Sequence, residues 1–189
     1  SWSIGSNLQL NLTGAKAAGE PFFSDGNGTG YDSYAYNITV RDLGPFKQII
    51  LGQFRAQFGM GLVLNNNLSL GKQAMLASVG RRATVFTPHS STSDYKHLQG
   101  AAFSADYGGA SLSAFWSYRG IDATLNADST VSTVLTDGYH RTAKEMQKKH
   151  NTTQMTSGLH LGYDATTARS LDWSVGLSFL HTRFNRALN

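Results

Sequence analysis

Cysteine is absent, proline occurs only 3 times, and charged side chains make up just 15% of the 189 residues. The missing thiols exclude a disulfide scaffold and a thiolate metal centre. No run of roughly 18 or more apolar residues occurs, which excludes a transmembrane helix. There is no initiator Met and no charged-then-apolar leader, so a leader has been removed or the chain is part of something longer. Nor is there a stripe of one charge. The balance is +4, from 16 Lys and Arg against 12 Asp and Glu. Its densest run is Lys144, Lys148 and Lys149, which is not the basic face of a nucleic-acid binder. Aromatic and aliphatic side chains run throughout, which excludes disorder. What is abundant is Gly, Ser, Thr, Asn and aromatic residues, the composition of one β-domain with many turns.

Wherever a pattern can be counted, its period is 2. Leu8, Leu10 and Leu12 alternate with polar neighbours, as do Tyr34, Tyr36, Ile38 and Val40. Phe54, Ala56 and Phe58 alternate with Gln53, Arg55 and Gln57. The same holds for Ala101–Tyr107, Ser111–Arg119 (Phe115 excepted), Leu159–Asp164 and Leu171–Phe179. Seven strands are predicted, most longer than the roughly five or six residues usual in globular sheets. Ser1–Ile4 reads as the end of a preceding strand.

The connections alternate in length. Gly5–Asn7, Asp42–Phe46, Gly108–Gly109 and Ala165–Ser170 are short, with turn chemistry in the Gly pairs. Glu20–Ser33, Gly59–Lys96 and Asn126–Gln154 hold 14, 38 and 29 residues. A soluble sandwich gives no reason for every second connection to be long. A transmembrane β-barrel does, with tilted strands of about 9–11 residues, short periplasmic turns and long outer loops. Tyr34, Tyr107, Trp116, Tyr118, Tyr163 and Trp173 fall near strand ends on the apolar face, where an interfacial girdle belongs. The fold class expected is all-β, an antiparallel transmembrane β-barrel or a large section of one, in a bacterial outer membrane. The absence of Cys suits a Gram-negative envelope. The runner-up is a soluble β-sandwich for adhesion or glycan binding. Two short helices are predicted within loops, one from the capping-box form of Thr142–Glu145 and one over Leu70–Val79.

Three segments together carry a family resemblance. They are Gly52–Leu62 with Leu68–Lys72, Leu98–Ala102 with Ala114–Ala123, and Gly138–Thr142 with Glu145 and Lys148 leading into Gly158. Their order and spacing resemble a Bacteroidota outer-membrane β-barrel family, whose members often carry an N-terminal helix-hairpin-helix module like those of DNA-uptake proteins. The resemblance covers roughly Tyr34 to Phe184. It departs at Gln53-Phe54, where members tend to have Asp-Tyr, and at Met60, where they tend to have Gln. No helix-hairpin-helix sequence occurs here. The resemblance implies that residues 1–189 are one barrel section, an incomplete fragment of a longer chain, and it implies location more than activity.

Motif chemistry is sparse. None of the six His residues stands in H-E-x-x-H form or near an acidic residue at ligand spacing, so no metal site is expected. His140, with Arg141, Thr142, Glu145 and Lys72, is expected to order loops. Gly71-Lys72 lacks the upstream Gly and the following Ser or Thr of a phosphate loop, and Gly26–Gly30 has no βαβ context. The five Asn-x-Ser/Thr sequons arise from composition. No nucleophile elbow is present, so no enzyme and no cofactor are expected. Gln53, Arg55 and Gln57, with Arg41 and Arg119, are expected to face a lumen. They would form either a ladder with Asp106, Asp164 and Asp172 or a cationic lining for an anionic solute. The function expected is a channel or transport-associated barrel in contact with outer-membrane lipid, with DNA as its most specific anionic cargo. The alternative is a non-conducting scaffold that binds a partner protein through its loops.

Overall fold

The computed structural model describes residues 1–16, 18–20, 22–23, 30–58, 64–65, 85–91, 97–136, 138, 140–166 and 172–188. In chain order the strands are β1 (Trp2–Ile4), β2 (Leu8–Ala15), β3 (Ser33–Leu43), β4 (Phe46–Phe58), β5 (Leu64–Asn65) and β6 (Phe86–Pro88). There follow β7 (Leu98–Tyr107), β8 (Ala110–Ile121), β9 (Ala123–Leu125) and β10 (Val131–Val134). One helical turn, α1 (Ala143–Met146), precedes β11 (Thr152–Thr166) and β12 (Asp172–Phe184). The expected all-β antiparallel architecture is what forms. One sheet runs in the order β1-β2-β3-β4-β7-β8-β11-β12, with β5 and β6 paired to β4. β9 and β10 make a separate hairpin. The sheet path ends at β1 and β12, and no ladder joins those two edges among the described residues.

Two of the short connections are built from residues that tolerate their dihedrals. Gly108 and Gly109 both hold positive φ, at 56° and 86°, as a two-residue hairpin loop between β7 and β8 demands. Leu43 pairs with Phe46 across Gly44-Pro45, with Gly44 at φ 59°. β11 begins earlier than the period predicted, at Thr152, because its first residues pair with Gly120 and Ile121 of β8. The predicted helix at Leu70–Val79 lies outside the described residues. The capping box forms: Thr142 accepts from the Glu145 amide, and the Glu145 carboxylate accepts from the Thr142 amide at 2.9 Å.

The registers sort side chains onto two faces. One carries Leu12, Tyr36, Ile38, Leu51, Ala101, Phe103, Leu112, Ala114, Leu159, Leu161, Val175, Leu177 and Phe179. This apolar face is the uncovered one. Leu12 and Leu177 keep 73% and 71% of their surface, and Val175 and Phe179 keep 63% each. Its aromatic residues sit in two tiers. Tyr34, Tyr36, Trp116 and Tyr118 lie toward the loop end, and Tyr107, Tyr163 and Trp173 toward the turn end.

The opposite face is polar or small over most of its area, with Asn11, Asn37, Thr39, Ser104, Ser113, Ser117, Thr156, His160 and Ser178. It also holds the buried core. Ile50, Phe54, Ala56 and Phe58 of β4 meet Phe86, Leu98, Ala102 and Phe115. Phe54, Phe58, Phe86 and Phe115 meet mostly edge to face, with centroids 5.4–6.1 Å apart. Gly158 is the floor beneath them, since a Cβ there would run into the rings of Phe115 and Phe58. Gly52 and Gly100 lie opposite each other beside this cluster. Both hold positive φ, and a Cβ on either would collide with a carbonyl of the adjacent strand. They let the backbones approach where no side chain fits.

Gly158→Val is therefore expected to destabilise by about 1–3 kcal/mol through overpacking. Ala114→Val, on the uncovered face, is expected to stay within about 0.5 kcal/mol. Urea midpoints of the folded protein check both, and equal midpoints would contradict the assignment of covered and uncovered faces.

Candidate functional site

Three carboxylates, an imidazole and an ammonium converge where the long loops leave the sheet. Glu20 and Asp32 come from the β2–β3 connection, and Asp122, His140, Lys149 and His150 from the β8–β11 connection. β3 and β8 are not neighbours, because β4 and β7 lie between them. With strands about 4.8 Å apart, the two connections bridge some 14 Å of sheet.

His140 is the hub. It is 2% exposed, its Nδ1 lies 2.7 Å from Asp32 Oδ2, and its Nε2 lies 2.8 Å from Asp122 Oδ2. Lys149 Nζ donates to Asp32 Oδ1 and to the Asp32 carbonyl, both at 2.7 Å. The His140 amide donates to Glu20 Oε1 at 3.3 Å, and the His150 amide to Asp122 Oδ1 at 2.8 Å. Arg141 lays its side chain against Gly19, so the two loops also touch through packing. The capping box of α1 orders the turn between His140 and Lys149.

Burial alone would lower the His140 pKa. The hydrogen bonds and charges of Asp122 and Asp32 outweigh it and raise the pKa to about 9. Burial would likewise raise Asp32, but hydrogen bonds from His140 and Lys149 hold it below the ordinary carboxylate value of 3.8. At neutral pH the site is an imidazolium clamped between two carboxylates. Glu20, Asp32 and His140 also bring one ligand atom each within 4.8 Å of one another, the spacing of a metal cluster. A metal ligand must be deprotonated. Here both ring nitrogens of His140 already face carboxylates, and an ammonium holds Asp32 Oδ1. The arrangement suits an ion-pair clasp better than a metal.

The structure places the residues singled out in the sequence as follows. His140 joins the two connections through Asp32 and Asp122, acidic partners that sequence spacing did not reveal. Thr142 and Glu145 form the capping box, and the Arg141 amide donates to Glu145 Oε2 at 2.8 Å. Lys72 lies outside the described residues. The five residues expected on one face are divided between two. Arg41 and Arg119 are on the polar face, where Arg41 reaches Gln9 at 3.4 Å and Arg119 reaches Gln154 at 3.3 Å. Gln53, Arg55 and Gln57 share instead the parity of Ile49 and Leu51. Gln53 donates to the Tyr34 carbonyl at 2.9 Å, and Arg55 Nε meets His89 Nδ1 at 3.1 Å. The cause is that β4 carries apolar residues on both parities, and the Phe54–Phe58 set is the one drawn into the aromatic core. Of the carboxylates considered for a ladder, Asp106 pairs with Lys47 at 2.6 Å.

Comparison with protein-family models, with curated proteins and with solved structures finds no match to this chain.

The clasp has a pH window. Because the His140 pKa is raised on folding, its contribution is complete below about 6.5 and is lost as pH rises through about 9. The Asp32 contribution has the opposite sense, complete above 3.8 and lost as pH falls through its lowered value. Cleavage around Lys148 and Lys149 by proteinase K, normalised to an unfolded substrate, is expected to be slow at pH 7 and fast at pH 10. His140→Ala leaves two facing carboxylates, costs about 3–5 kcal/mol, and is expected to make cleavage fast at pH 7. A pH-independent cleavage rate in the native protein would contradict the clasp.

Proposed function

We propose that this chain forms wall of an outer-membrane β-barrel, with its apolar face toward lipid, and that its clasped loops close the outer end of a passage. The observation that carries the reading is the inversion of burial across the sheet. A soluble sandwich buries its apolar face and wets its polar one. Here Leu177 and Phe179 are uncovered, while Asn37, Thr39, Ser113, Ser117 and Thr156 are buried. A bilayer supplies the missing apolar partner. The two aromatic tiers match the interfacial girdles of a barrel, and β8 and β11 are each laddered to a neighbour on both sides, as hydrocarbon requires.

Two features close the passage. The phenylalanine cluster fills the polar-face side of β4, β7 and β8, and the clasp arches loops across β4 and β7. A cationic channel for DNA finds less support. Arg55 does not share a face with Arg41 and Arg119, and each of the three already has a hydrogen-bond partner. A closed transport barrel, opened by a partner that releases the loops, accounts for both features. A non-conducting scaffold is the alternative.

Planar-bilayer recordings of the inserted protein separate the two. Native protein is expected to conduct little at pH 7. His140→Ala is expected to raise the open probability, and His140→Ala with Phe58→Ala to raise it further. Silence of the double variant, while it still inserts, would reject a passage and leave the scaffold.

A further inference from the structure

The loop end of the apolar face carries a guanidinium and an imidazole that have no counterpart among the described residues of its turn end. Along β12, Val175, Leu177 and Phe179 are followed on the same face by His181 and Arg183, both exposed. Ser157 of β11 stands between Trp116 and His181, and Met155 stands between Tyr118 and Arg183. Directly opposed residues lie about 4.5–5.5 Å apart, so these six side chains form one patch two rows deep. The Trp116 and Tyr118 rings stack, with centroids 6.2 Å apart and planes at 9°. The small Ser157 leaves a dip between the indole and the imidazole. Neither the His181 nor the Arg183 side chain has an ion-pair or hydrogen-bond partner among the described residues. The row below is Ala114, Leu159 and Phe179, entirely apolar. At the turn end of the same face the described rim residues of β7, β11 and β12 are Tyr107, Tyr163, Ala165 and Trp173, none of them a cation.

We infer that the β8–β11–β12 end of this face binds the phosphorylated headgroup of a membrane lipid. The inference rests on the proposed lipid-facing orientation. What fits the patch is an amphiphile with its acyl chains along Ala114, Leu159 and Phe179 and its anionic group one or two rows higher. The Arg183 guanidinium offers two parallel N–H donors that match phosphate oxygens, and His181 adds a third donor. The stacked rings of Trp116 and Tyr118 supply the amphipathic surface that sits at headgroup level. Asymmetry fixes the leaflet. A cation that merely reaches for the interface would serve either rim equally, whereas among the described rim residues of β7, β8, β11 and β12 the guanidinium of Arg183 is on the loop side.

The test uses the whole chain in phosphatidylcholine nanodiscs, with Trp2→Phe and Trp173→Phe leaving Trp116 as the reporter. A bisphosphorylated acyl-glucosamine disaccharide with brominated chains is titrated in, against its dephosphorylated form. Half-quenching of Trp116 is expected at about tenfold lower mole fraction of the phosphorylated lipid. Arg183→Gln is expected to remove that preference, and Arg183→Lys to restore part of it. Equal quenching by both lipids, or a preference that survives Arg183→Gln, would overturn the headgroup site while leaving the lipid-facing orientation intact. A Trp116 that brominated phosphatidylcholine itself does not quench would reject the orientation, and the headgroup site with it.

Discussion

Register along two ladders sets almost everything else in this protein. β11 pairs residue by residue with β12 from Gln154–Phe184 to Thr166–Asp172, and with β8 from Thr152–Ile121 to Tyr163–Ala110. Side chains alternate with a period of 2, so a slip of one residue would exchange the faces. Leu159, Leu161, Leu177 and Phe179 would then crowd the side where Gly158 lies under Phe115 and Phe58. His160, Thr156 and Ser178 would be turned to the uncovered side. The His160–Ser178 hydrogen bond at 2.8 Å and the fit of two rings over Gly158 both belong to the observed register alone.

Once the faces are fixed, the loop end follows. A sheet whose polar face holds a phenylalanine cluster between β4 and β8 has β3 and β8 as the natural footings for an arch above it. The clasp is that arch. Its chemistry suits the position: buried charges are tolerated when each has an opposite partner and further hydrogen bonds, and His140, Asp32, Asp122 and Lys149 meet that condition mutually. The proposed transport role depends on the same device. A loop pair held by several mutually dependent ion pairs releases as a unit when one member is removed or neutralised, which is how a closed end could be opened.

Much of the sheet was legible in the chain. Alternation of Leu, Ile, Tyr and Trp with Ser, Thr and Gln placed the long strands, and Gly108-Gly109 and Gly44-Pro45 placed two hairpins. The face of β4 beyond Gly52 was not legible. Ile49, Leu51, Ile50, Phe54, Ala56 and Phe58 put apolar side chains on both parities, and only the partners Phe86 and Phe115 decide which set is covered. The clasp was hidden for a different reason. His140 lies 108 residues from Asp32, and Lys149 lies 117 from it. Local spacing therefore shows the histidine without the acids that clasp it. Asp122 was nearer the surface of the problem, since it follows the last strand residue of β8 directly.

The lipid-facing orientation is the claim on which the passage and the headgroup site both stand. Spin labels placed singly at Val175, Leu177 and Phe179, and at Ser174 and Thr182 on the opposite face of the same strand, test it in reconstituted bilayers. Collision rates with oxygen, which concentrates in lipid, and with a water-soluble nickel complex are compared at each site. Oxygen should dominate at 175, 177 and 179, with its advantage lost at 174 and 182. Equal access of the nickel complex at all five positions would contradict the orientation.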